Sequence, residues 1–320
     1  MFALPLLHTL SKNKLSVFLF HKVPAVPDPL IQHDFDLASF ESMLDRINKN
    51  FSVLPVNDAV DGLRKGSLPR RTACITFDDG YPDWQHGVLP ALRRRNMHAT
   101  FYITTGQFDR RPLWHERILA AVRGLPDGTF DMGFAPLPSK PLETLLDRQQ
   151  LVQRLELALK YLTLPKREEL LQNLEAIAGV AADAVPVMSP EALRDLHSQG
   201  FGVGAHTIDH PILDYCDARQ ASHEIGDVKA QLEEMVRGRV DGFAYPNGRP
   251  YADFSRLHVE AVKKAGYSHA VTTHWGVAKP STSVYQIPRF TPWAKREWHA
   301  LYQVGRNLLT DPMMVPENIS

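Results

Sequence analysis

The chain is poor in cysteine, carries no excess of either charge and has no long apolar run. Two cysteines in 320 residues, Cys74 and Cys216, cannot build a disulfide framework, so nothing points to an oxidising compartment. Thirty-six Lys and Arg balance 36 Asp and Glu. A protein held on nucleic acid through phosphate contacts needs a basic excess or stripe. The longest basic run, Arg93-Arg94-Arg95, reads as the solvated end of a helix, so no nucleic-acid partner is expected. No stretch reaches the roughly 20 apolar residues that a membrane span requires. Residues 1–10 are mostly apolar but short, with no leading basic residue and no small-residue cleavage site, and make a poor signal peptide. A cytoplasmic protein is expected, with room for peripheral contact at the inner face of the membrane. Oligomeric state is not legible.

What the sequence does contain is an alternation of strand-length apolar segments with helical patterns. Residues 15–20 (LSVFLF), 72–77 (TACITF), 99–103, 201–205, 242–245 and 268–272 read as strands. Between them, Phe40, Met43, Leu44 and Ile47 share one helical face, and helices are expected around 84–95, 217–237 and 253–265. Ser189-Pro190-Glu191 is a helix start, with Ser as the cap and Pro at the first helical position. Alternation of this kind implies right-handed βαβ units and a mostly parallel sheet, either a barrel or a doubly wound sheet. The span from about 114 to 185 is instead helical and rich in Leu, Arg and Glu. Because the alternation resumes after it, it reads as a helical insertion in one domain covering 1–320.

In parallel α/β architectures, functional residues gather where the strands end. The polar residues at those ends are His21, Asp78, Asp79, His206, His210, Asn247 and His274. With 14 His in the chain, about 0.6 His-x-x-x-His pairs arise by chance, so His206 and His210 alone mean little. An Asp-Asp-Gly turn alone is equally weak. Position gives both weight, since each directly follows an apolar strand segment. Two His and one carboxylate make a three-ligand metal site with open positions. Zinc suits it, while the same donors also fit Fe(II) oxygenases. A second, adjacent carboxylate free to take a proton from water favours hydrolysis.

Taken together, Thr76-Phe77-Asp78-Asp79-Gly80, His206-Thr207-Ile208-Asp209-His210 and Phe243-Ala244-Tyr245-Pro246-Asn247-Gly248 resemble the ordered motifs of polysaccharide deacetylases. These are the NodB-homology enzymes of carbohydrate esterase family four. The resemblance is firm from about 72 to 290. It implies an α/β fold, a distorted (β/α)7-type barrel, and a metal-dependent hydrolase that removes acetyl from an N-acetylated amino sugar in a polysaccharide or its precursor. By motif position, Asp79, His206 and His210 would hold the divalent metal, zinc foremost with Co2+, Ni2+ or Fe2+ as alternatives. Asp78 would be the general base. The third motif, with Tyr245, Pro246 and a backbone N–H at Asn247, would serve the oxyanion and substrate.

Two departures from the family pattern stand out. The third motif often opens on an Arg that orients the catalytic Asp, yet this chain has Ala244; Arg289, in Gln286-Ile287-Pro288-Arg289-Phe290, is the candidate replacement. The usual C-terminal segment carrying the catalytic acid is also not evident. His21 is the first candidate for that role, because Phe18-Leu19-Phe20-His21 resembles the strand-end His of biofilm-polysaccharide deacetylases with permuted motifs, and His274 is the second. Tyr81, Trp114 and Trp275 are candidates for stacking on a sugar, although core packing or rim burial explains each as well. The alternatives to N-deacetylation are O-acetyl ester hydrolysis, cleavage of another C–N amide, and a non-catalytic carbohydrate-binding protein on the same fold.

Overall fold

The six strand-like segments pair into a single parallel sheet, joined by a seventh strand too short to be read from periodicity. A computed structural model describes residues 8–31, 35–109, 112–128, 141–181, 185–291 and 297–317. The strands are β1 (Leu15–Phe20), β2 (Ser52–Val53), β3 (Thr72–Asp79), β4 (Thr100–Ile103), β5 (Gly202–Ala205), β6 (Gly242–Ala244) and β7 (His269–Val271). Their order is β1-β3-β4-β5-β6-β7, with β2 paired to the start of β3. Ile287 bridges Val271 of β7, and Phe290 bridges Phe18 of β1, both in parallel. The segment between them fills the gap between the first and last strands, and the sheet curls into a distorted (β/α) barrel.

β3 runs two residues beyond its apolar pattern. Asp78 and Asp79, expected in a turn, still pair with Tyr102 and Ile103 of β4, and the turn begins at Gly80. Gly80 has φ +96°, and a Cβ there would lie 2.3 Å from Gln107 Nε2. That amide donates to the Asp79 carbonyl at 2.7 Å and the Thr104 carbonyl at 2.9 Å, so only glycine lets the strand end this close to its neighbour.

The helices are α1 (Leu37–Asn50), α2 (Val56–Arg64), α3 (Val88–Arg94), α4 (Trp114–Gly124), α5 (Leu145–Lys160), α6 (Leu164–Ala178), α7 (Pro190–Ser198), α8 (Ala218–Val236), α9 (Arg256–Lys264) and α10 (Glu297–Leu309). Phe40, Met43, Leu44 and Ile47 of α1 are all buried. The helix expected around 84–95 is instead a 3-10 turn, Pro82–Gln85, and α3, separated near Gly87. The helix expected from 253 starts at Arg256. Asp253 is withdrawn from it to accept from the backbone and side chain of Arg249, both at 2.9 Å, and Ser255 with His258 forms the cap.

Helices α4, α5 and α6 bury Ile118, Leu155, Leu159 and Leu174 in an apolar cluster of their own. A buried Arg117 ties two of them together, with Nε 2.7 Å from Glu175 and Nη1 2.6 Å from Glu168. Residues 129–140 and 182–184 of the expected insertion lie outside the described residues, as do 1–7 of the apolar N-terminus. No helix among the described residues is long and apolar enough to cross a membrane.

Candidate active site

Because every strand pair is parallel, the strand ends share one edge of the barrel, and the three motifs meet there. Asp78 and Arg289 are both essentially solvent-free. The guanidinium forks onto the carboxylate, Nη1 to Oδ1 and Nη2 to Oδ2, each at 2.6 Å. Its Nε donates to the Thr272 carbonyl at 2.9 Å. Such bidentate, charge-assisted pairing fixes the orientation of the carboxylate as well as its charge. Arg289 reaches Asp78 because its own segment closes the barrel beside β1.

Asp79 projects beside Asp78 toward two imidazoles. Its Oδ1 lies 3.4 Å from His206 Nε2 and 3.5 Å from His210 Nε2, is buried, and has no hydrogen-bond partner among the described residues. Ligand atoms of Asp79, His206 and His210 all fall within 4.8 Å of one another. His206 Nδ1 sits 2.8 Å from the Ala244 carbonyl, which can only accept; Nδ1 therefore carries the proton and Nε2 presents its lone pair inward. An orphaned buried carboxylate oxygen facing an imidazole lone pair is what a divalent cation would satisfy, so these residues fit a metal. Burial pushes the His210 pKa well down.

The loop carrying the two histidines is held from several sides. Glu224 of α8 accepts from the N–H groups of Ile208 at 2.8 Å and Asp209 at 3.0 Å. The Thr207 hydroxyl accepts from His210 N–H at 3.1 Å. Asp79, Thr207, His210 and Asn247 all adopt positive φ, at 85°, 65°, 50° and 55°. Non-glycine residues in this region cost about 1–3 kcal/mol each and persist where the surroundings impose them, typically at functional sites.

Above this group opens a cavity of about 570 Å³, lined by His21, Asp78, Asp79, Tyr81, Trp114, His206, His210 and Asn247 among others. Eight of the residues singled out in the sequence thus converge. Trp84 Nε1 donates to the His21 carbonyl at 3.0 Å, and Asp83 accepts from the Val23 N–H at 3.0 Å, which anchors the chain at His21 and just after it. Burial lowers the His21 pKa. His274 and Trp275 do not line the cavity, and Trp275 packs on Phe290 with ring centroids 5.6 Å apart. Tyr245 is fully buried and stacked on Phe254 at 4.0 Å, and neither it nor Pro246 lines the cavity.

The sequence profile of the family described as Polysaccharide deacetylase matches residues 65–270. The chain belongs to the polysaccharide deacetylase family. The Bacillus subtilis (strain 168) protein YxkH, named for polysaccharide deacetylation, is 28% identical over 102 residues, which is 32% of this chain and 35% of YxkH. The chain therefore matches about a third of the length of that curated relative. Among solved structures, Streptococcus pyogenes deacetylase PplD in complex with acetate shares the fold, with a TM-score of 0.59 and 16% identity over 87% of this chain and 92% of PplD. IcaB from Ammonifex degensii gives a TM-score of 0.56 and 17% identity over 93% of this chain and 97% of IcaB.

Against the deacetylase pattern, the place of the missing third-motif Arg becomes clear. Ala244 offers its carbonyl to His206, while the cation beside Asp78 comes from Arg289 on another segment. Of the insertion's contributions, the sequence singled out Trp114 and missed the others. His115 of α4 lines the cavity, 2.6 Å from the Tyr81 hydroxyl and 3.9 Å from Asp79 Oδ2. It follows directly on Trp114, but a histidine opening a helix in an insertion has no motif to mark it.

Arg167 of α6 was also invisible. It is buried, stacks on the Trp114 ring at 5.1 Å, and donates to the carbonyls of Asp209 at 2.6 Å and His210 at 3.1 Å. Burial lowers its pKa to about 10, so it stays charged at neutral pH. The insertion thereby grips the histidine loop. Groups that orient metal ligands are worth roughly 10–100-fold in metal affinity. Arg167→Ala is expected to weaken zinc binding by about that factor in competition with a chromophoric chelator, and Arg167→Lys to weaken it less. Unchanged affinity would show that the loop holds its shape without the insertion.

Proposed function

We propose that the chain removes the acetyl group from an N-acetylated amino sugar, in a polysaccharide or its precursor, with a divalent metal, zinc expected, held by Asp79, His206 and His210. One observation carries this: a ligand-competent Asp-His-His group lies beside a second carboxylate locked by Arg289, all facing one cavity. A cation held there would supply Lewis-acid chemistry to the acetyl carbonyl and to water. The protein's own groups do the rest. Asp78, oriented by Arg289, accepts the proton of the attacking water. The Asn247 N–H, on the loop lining the cavity, donates to the developing oxyanion. His21 hands a proton to the leaving nitrogen. The proton that His21 passes on is the one Asp78 has taken from the water, so both groups return to their starting state.

The paired Asp78 and Arg289 favour this over a non-catalytic carbohydrate-binding protein, which has no need of an oriented second carboxylate. That PplD was solved with acetate is in keeping with a deacetylase pocket on this fold. The test is a product balance on N-acetylglucosamine oligomers and on acetylated xylan, counting acetate and free amine together. Equal acetate and amine from the oligomers is expected. Acetate without amine, from xylan alone, would replace the reading with ester hydrolysis.

A further inference from the structure

Helix α5 of the insertion supplies one wall of the cavity through Gln153, Glu156, Leu157 and Lys160, a spacing that puts all four on one helix face. Most cations around this site are already matched. Lys22 pairs with Glu116 at 2.8 Å, Arg249 with Asp253 at 2.9 Å and Arg289 with Asp78 at 2.6 Å, while Arg167 donates to two backbone carbonyls. Lys160 differs. Among the described residues no carboxylate forms an ion pair with its ammonium, which sits near the Tyr161 ring at 5.5 Å, although Glu156 and Asp253 lie close enough to favour its charge. The side chain is half-buried, and burial lowers its pKa. A partly desolvated ammonium facing a binding cavity gains most from a ligand that brings the missing charge.

We propose that α5 is the discriminating wall of the cavity and that Lys160 receives an anionic group, phosphate or carboxylate, carried by the acetamido sugar. This rests on the deacetylase reading for the sugar, not for the charge. Lys160 is thus a specificity determinant; it acts on no reacting atom. Hydrogen bonds to charged partners are stronger than neutral ones, and the expected preference for an anionic over a neutral ligand is about tenfold or more. Because the site opens to solvent, added salt is expected to erode it.

The test is calorimetric titration of the zinc-loaded protein with three probes: N-acetylglucosamine 1-phosphate, N-acetylmuramic acid and neutral methyl N-acetylglucosaminide. The two anions are expected to bind at least tenfold tighter than the glycoside, and whichever binds tighter identifies phosphate or carboxylate as the source of charge. Lys160→Gln is expected to remove the difference while leaving the neutral probe within about twofold, and Lys160→Arg to restore it. A preference that survives Lys160→Gln belongs to the metal and overturns the proposal, as do equal affinities or no binding by the wild type. Acetate release from neutral oligomers is assayed in parallel. Its absence alongside charge-dependent binding would defeat the deacetylase reading alone. Its presence without charge discrimination would defeat the Lys160 proposal alone.

Discussion

Asp78→Asn is expected to slow acetate release by about 10²–10⁴-fold, the usual contribution of a positioned general base. Asparagine keeps the shape of the side chain but cannot take a proton from water, and it turns one acceptor of the Arg289 fork into a donor. Some stability is therefore lost with the activity, and two controls separate the effects. Zinc uptake should persist, because Asp79, His206 and His210 are untouched. The far-ultraviolet circular dichroism at the assay temperature should stay native. Turnover within a few-fold of wild type would remove Asp78 from the chemistry.

The second large effect is on stability. Asp78 and Arg289 are 1% and 0% exposed, so removing either leaves the other as an uncompensated buried charge. Breaking a buried pair in this way typically costs about 3–5 kcal/mol. Arg289→Met is expected to lower the urea midpoint accordingly. The double variant Asp78→Asn/Arg289→Met is expected to recover much of the loss, because neither remaining group is charged. Strictly additive costs would contradict the pairing, since residues in one buried network couple. Acetate release should fall in Arg289→Met as well, since nothing then fixes the two oxygens of Asp78.

The barrel was legible because its strands are buried on both faces and read as short continuous apolar runs between helical patterns. β2 escaped, since two residues carry no period. The end of β3 was misplaced because charged residues normally close an apolar strand, whereas here Arg289 neutralises Asp78 within it. The grouping of Asp79, His206 and His210 was legible because all three sit in short motifs at strand ends. Arg289 could be suspected from the gap at Ala244, but only the closing segment between β7 and β1 brings it to Asp78. The remaining contributors, His115, Lys160 and Arg167, come from the insertion. Their helices have ordinary amphipathic sequences, and which face meets the barrel depends on packing that no local pattern encodes.

Under the proposed function, hydrolysis depends on a metal held by Asp79, His206 and His210. The most direct measurement is the rate of acetate release from an N-acetylglucosamine oligomer by chelator-stripped protein as zinc is added back. No release is expected from stripped protein, then a rise to a plateau near one zinc per chain, with no recovery in His206→Ala. Sustained release from stripped protein, or wild-type recovery in His206→Ala, would contradict it.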